Sequence, residues 1–111
     1  MYKRQVIDDD KSIHDTWQIK LLKHFNESDI IHLYKESEIQ RFHFNKDDFV
    51  LIDYDLRGHR FGIDYILEKK FKNTILVTSN FENQITLDFC NAHGIKMIPK
   101  NIVSDITIIT E

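Results

Sequence analysis

The chain has 111 residues, enough for one domain around a single core and too few for two. Its 41% hydrophobic and 30% charged residues fit a soluble globular domain, and fifteen basic against eighteen acidic residues, net −3, leave no footprint for nucleic acid. With no apolar run near the roughly 20 residues that cross a bilayer, no signal-peptide pattern and a single cysteine, Cys90, the expectation is a cytoplasmic protein without disulfides or membrane segments.

Met1 to Ile7 reads as a short strand ending in Val6-Ile7, with Asp8-Asp9-Asp10 directly after it. Ser12-Ile13-His14-Asp15 has the spacing of a capping box, with Asp in place of the usual Glu or Gln. Ile13, Trp17, Leu21 and Phe25 then recur every fourth residue, the apolar face of a helix. Asp29 to Leu33 reads as a second strand, and Lys35 to Asn45 as a short, poorly formed helix. The four consecutive apolar residues Phe49 to Ile52 are too few for a typical helix and form a strand buried on both faces. That strand ends in Asp53, and a loop through Gly58 to Gly62 leads to a helical face at Ile63, Ile66, Leu67 and Phe71. Thr74 to Thr78 is a β-branched fourth strand. Ser79-Asn80 supplies capping chemistry for a helix whose face is Ile85, Phe89 and Ala92 and which stops at Gly94. Ile95 to Ile98 is a fifth strand, closed by Pro99-Lys100. The last eleven residues fit either a short helix or a strand.

Short strands alternating with helices imply βαβ units, hence an α/β fold with a parallel sheet covered on both faces. The C-terminal ends of all strands then lie on one edge, where such sheets bind ligands. Asp8, Asp9, Asp10, Asp53, Thr78 and Lys100 collect there. Singly, the three aspartates could cap a helix dipole, Asp53 could open a turn and Lys100 could be a surface lysine. Their matching positions at successive strand ends weigh against that. Clustered carboxylates raise one another's pKa unless a cation neutralises them. An all-oxygen set with room for water suits Mg²⁺ and leaves a position for a phosphoryl oxygen, which Lys100 and Thr78 would contact as charged and neutral donors. The six histidines (14, 24, 32, 43, 59, 93) show no metal-ligand spacing and read as surface or satisfied residues, with His59 near the site.

In this order and spacing, four motifs resemble those of a response-regulator receiver domain of bacterial two-component systems, along nearly the whole chain. They are Val6-Ile7-Asp8-Asp9-Asp10, Leu51-Ile52-Asp53-Tyr54-Asp55-Leu56-Arg57-Gly58, Ile75-Leu76-Val77-Thr78-Ser79, and Gly94-Ile95-Lys96-Met97-Ile98-Pro99-Lys100. The resemblance implies a single receiver domain over 1–111, with a flavodoxin-like, doubly wound five-stranded sheet in the order 2-1-3-4-5. It implies that Asp53 is the phosphoacceptor, Asp9 a direct Mg²⁺ ligand, Asp8 a ligand through water, and the backbone carbonyl of Asp55 a further ligand. Thr78 and Lys100 would hold the phosphoryl group, Thr78 moving toward it after transfer. The side chains of Asp55 and Asn80 would flank the route of attacking water. The donor would be a phosphohistidine on a sensor histidine kinase or phosphotransfer protein, and the domain would catalyse only its own phosphorylation and dephosphorylation.

The sequence departs from that pattern in four places. Arg57 stands where the family usually has Pro, in a loop one residue longer. Met97 replaces the aromatic that couples to the switching Thr. Pro99 precedes Lys100, where the family has Lys-Pro with a cis bond. The usual fifth helix is short or absent, which would leave part of one sheet face to a partner or to a second copy in a homodimer. The Ile98-Pro99-Lys100 ending is also similar to C-terminal receivers of hybrid sensor kinases. A haloacid-dehalogenase-type phosphatase would carry its acidic pair late in the chain, not first. Flavin binding needs a Ser, Thr and Gly phosphate loop that does not follow strand one. A degenerate receiver, acting as a protein-interaction module without phosphotransfer, is the main alternative.

Overall fold

The apolar runs become a sheet because each is too short for a helix and is β-branched or apolar throughout. The computed structural model describes residues 3–79 and 81–109. Its five strands, β1 (Arg4–Ile7), β2 (Ile30–Leu33), β3 (Phe49–Ile52), β4 (Asn73–Thr78) and β5 (Lys96–Pro99), all pair in parallel in the order β2-β1-β3-β4-β5. Four α-helices connect them: α1 (Lys11–Leu22), α2 (Glu36–Arg41), α3 (Gly62–Lys69) and α4 (Gln84–His93). Short 3-10 helices cover Glu27–Asp29 and Lys100–Asp105. This is the flavodoxin-like topology expected from the sequence.

The period of two along each strand divides the core. Ile7, Val50, Ile52 and Leu76 pack with Ile39 of α2, Tyr65 and Ile66 of α3 and Cys90 of α4. Val6, Leu51 and Val77 face the other way, against Trp17 and Leu21 of α1 and Val103 of the last 3-10 helix. Both faces are therefore packed with apolar side chains, and Cys90 is a small buried residue among them.

Several local expectations are corrected. The N-cap of α1 is Asp10, whose Oδ1 accepts from the Ser12 amide at 2.9 Å and the Ser12 hydroxyl at 2.7 Å; the Ser12 capping box does not form. Phe25 lies past the end of α1 and instead receives the Arg4 guanidinium over its ring at 3.5 Å. Leu67 is exposed, and Tyr65 takes the buried place on α3. Phe71 lies beyond the end of that helix but still packs against the core. Helix α4 starts late, capped by Asn83, whose Oδ1 accepts from the amides of Ile85 and Thr86. Its buried residues are Thr86 and Cys90, while Ile85 and Ala92 are exposed. Thr and Cys are weak signals in an apolar pattern, which explains the misplaced face. Asn80 lies outside the described residues. Gly94 caps α4 in the left-handed region at φ 64°, as expected.

The chain after β5 settles the ambiguous tail. A six-residue 3-10 helix stands in place of a full fifth helix, and residues 106–109 follow without regular secondary structure. Lys20 Nζ donates to the Ile106 carbonyl at 2.5 Å, and Val103, Ile106 and Ile108 pack on the α1 side of the sheet. A groove of about 350 Å³ remains there, lined among others by Trp17, Leu21, Phe49, Leu51, Ile75 and Ile98. Among the described residues no peptide bond is cis, so Pro99 enters the Lys100 loop in the trans form.

Candidate functional site

Register brings the predicted residues together. Ile7 pairs with Ile52, so Asp8 and Asp53 leave adjacent strands side by side; their amides donate to the carbonyls of Leu33 (3.2 Å) and Ile7 (3.0 Å). Thr78 pairs with Pro99 at the end of β4, which sets Lys100 one residue beyond on the same edge. Lys100 Nζ lies 3.1 Å from Asp8 Oδ1 and 3.2 Å from Asp53 Oδ2, closing a chain separation of 92 residues to Asp8. One carboxylate oxygen from each of Asp8, Asp9 and Asp53 falls within 4.8 Å of the others. Thr78 is fully buried beside them in sequence register.

Burial dominates the electrostatics. Asp8 is 1% exposed and Asp53 4%. Desolvation first, and then the Asp53 charge, pushes the Asp8 carboxyl up to about 7, against the Asp10 amide and Lys100, which pull it down. Desolvation also raises Asp53, although Lys100 opposes it. Burial works against the charge on Lys100 as well, but the carboxylates of Asp53 and Asp8 outweigh it and raise the lysine's pKa. One ammonium thus serves two buried carboxylates, and the pKa of each is still raised above the ordinary carboxylate range. The site is short of positive charge. Asp8 Oδ2, 3.1 Å from Lys100 Nζ, is buried and accepts no well-directed hydrogen bond. Three hard oxygen donors, one of them lacking a hydrogen bond, fit a divalent cation such as Mg²⁺.

Three contributors were not read from the sequence. Gly62, the first residue of α3, lies against the backbone of Asp53: a Cβ there would collide with the Asp53 carbonyl oxygen. Its amide donates to the Tyr54 carbonyl at 2.7 Å, and Asp55 bridges Phe61, so the loop after β3 closes directly beside Asp53. His14 is one of the satisfied histidines, buried with both ring nitrogens partnered. Its Nε2 lies 2.7 Å from the Asp8 carbonyl and its Nδ1 lies 2.7 Å from Nδ1 of His32, whose Nε2 contacts Gln18 Oε1 at 2.6 Å. The Asp8 carbonyl can only accept, so His14 Nε2 carries the proton and holds the backbone of the acidic turn. The signal was present: His14 shares a helical face with Trp17 and Leu21 at i, i+3 and i+7. Arg57, known from the sequence only as a departure, has its Nε 3.0 Å from Asp9 Oδ2. His59 is 97% exposed and faces Glu36 at 3.5 Å, away from the cluster. The Asp55 carboxylate turns back to accept from the Arg57 amide at 2.9 Å.

No family model and no curated protein matches the chain. Two solved structures are similar to it. An adenylate cyclase from Rhodopirellula baltica superposes with a TM-score of 0.67 at 16% identity, over 90% of this chain and 77% of that one. A response regulator receiver protein from Pseudoalteromonas atlantica superposes with a TM-score of 0.64 at 14% identity, over 92% of this chain and 90% of that one. At such identities the likeness is one of backbone. The chain has the flavodoxin-like fold of a response-regulator receiver domain.

Proposed function

We propose that the domain accepts a phosphoryl group on Asp53 in a Mg²⁺-dependent reaction and changes conformation in consequence. The observation that carries this reading is the meeting of Lys100 Nζ with both Asp53 and Asp8, beside Asp9, at one sheet edge. Asp53 Oδ attacks phosphorus; the P–N bond of a phosphohistidine, or the P–O bond of an acyl phosphate, breaks and its electron pair leaves with the donor. Lys100 meets the equatorial charge of the transferring group, and Thr78 supplies a neutral donor to it. Asp8, Asp9, Asp53 and the Asp55 carbonyl would hold the cation. When bound, Mg²⁺ keeps the buried carboxylates ionised and offsets the charge on the phosphoryl oxygens. A sensor histidine kinase or phosphotransfer protein is the donor in this reading, and the cytoplasm is where it would be met. Among the described residues no helix is long and apolar enough to cross a membrane.

Intact mass after incubation with acetyl phosphate and MgCl₂ tests the proposal. Wild type gains one phosphoryl group, while chelator or Asp53→Asn abolishes the gain. An unmodified wild type that still takes up Mg²⁺, read as a raised melting temperature, would replace this reading with that of an interaction module.

A further inference from the structure

Arg57 is where the loop after β3 departs from an ordinary course. Its φ is 55°, in the left-handed region that costs a residue with a Cβ roughly 1 kcal/mol and that proline cannot enter. Three contacts hold the loop in that shape. The Asp55 carboxylate accepts from the Arg57 amide; Glu36 Oε1 of α2 accepts from the Arg60 amide at 2.8 Å; and Gly58 packs so tightly on the Glu36 side chain that a Cβ would overlap it. The result is that an arginine whose side chain is 85% exposed is turned back over the sheet edge, with its Nε on Asp9.

We infer that Arg57 is a built-in counter-ion that competes with the divalent cation for Asp9 and so lowers the affinity of the site for metal. This rests on the metal site proposed above. Lys100 is committed to Asp8 and Asp53, and the third carboxylate, Asp9, takes its positive partner from Arg57. A cation ligated by Asp9 must displace that guanidinium or share the carboxylate with it, and in either case it works against a fixed positive charge. Arg57 therefore lowers metal affinity, and it acts as a positioning residue. Because the guanidinium is largely in solvent, its effect is modest and screened by salt.

Binding of Mn²⁺, a hard divalent probe read by the EPR signal of the free ion and displaced by Mg²⁺, measures this on the full chain. Arg57→Gln should bind about two- to fivefold more tightly than wild type at low salt, the range set by an exposed ion pair. The gap should close at high salt, and Arg57→Lys, which keeps the charge, should stay near wild type. An Arg57→Gln affinity equal to or weaker than wild type, with binding still lost in Asp9→Asn, overturns the role of Arg57 and leaves the metal site standing. A gain shared equally by Arg57→Lys and Arg57→Gln also overturns it, since loss of the guanidinium's shape and hydrogen bonding, not of its charge, would then be the cause. Binding unaffected by Asp9→Asn overturns the metal site itself, and this inference with it.

Discussion

Asp8→Asn probes the charge balance of the site without touching Asp53, the proposed phosphoacceptor. Burial and the Asp53 charge raise the Asp8 carboxyl from an ordinary 3.8 to about 7. A carboxyl with a raised pKa binds more protons folded than unfolded, so its contribution is fully present below pH 3.8 and is lost as pH rises toward 7. At about 1.4 kcal/mol per pH unit, the loss over that window is on the order of 4 kcal/mol. Asparagine has nearly the same shape and nothing to ionise, and it leaves Lys100 its partner Asp53 at 3.2 Å. The stability of Asp8→Asn relative to wild type should therefore climb between pH 4 and pH 8 by on the order of 3 kcal/mol. Urea unfolding in EDTA, followed by the fluorescence of the single, buried Trp17, measures it. Taking the difference between the two proteins cancels the histidines, which both carry. Saturating Mg²⁺ should restore wild type at pH 8 and do less for the variant. A difference that stays flat with pH, or an Asp8→Asn protein that loses ground on raising it, would refute the argument that burial of unneutralised carboxylate governs this site.

The remaining predictions concern the residues that frame the site. Gly62→Ala should cost about 2 kcal/mol or more in urea unfolding and should also weaken divalent binding, because the Asp53 carbonyl must move to admit the Cβ. Gly94→Ala meets nothing within 4 Å and should cost only about 1 kcal/mol for its left-handed φ, leaving divalent binding unchanged. His14→Ala should cost on the order of 3 kcal/mol, since it opens a cavity and strips the Asp8 carbonyl and His32 of a partner. Burial, first of all, holds the pKa of both His14 and His32 below 6.5. As pH falls through 6.5 the unfolded chain takes up protons that the folded chain refuses, so stability drops on the acid side. The combined change His14→Gln with His32→Gln should flatten that drop in thermal melts between pH 5 and pH 7.

What could be read from the sequence, and what could not, divides along a physical line. The order of strands and helices follows from burial periodicity, which depends on a face of several residues and survives a local error such as the misplaced cap of α1. Asp53, Asp8 and Lys100 were legible because parallel topology alone puts every strand's C-terminal end on one edge, whatever the helices do in detail. The faces of α3 and α4 were misread where Tyr65, Thr86 and Cys90 were buried in place of Leu67, Ile85 and Ala92. In those cases the shape of the contact outweighed the hydrophobicity of the residue.

The parts that escaped the sequence are those fixed by a single atom's position. Whether Gly62 may be alanine depends on the path of one carbonyl in Asp53, and whether Arg57 meets Asp9 depends on one positive φ. No pattern of residue types encodes either. This also bears on function, because a fold shared at 14–16% identity with proteins of different names fixes where a site lies and leaves its chemistry open. The case for phosphoacceptance therefore rests on charge and distance. Burial raises the pKa of both carboxylates, and one lysine does not offset it. Such an arrangement destabilises the domain at neutral pH unless a further cation completes it. This shortage of positive charge is why stability, divalent affinity and, on the function proposed, phosphoacceptance should respond together when Asp8 is changed.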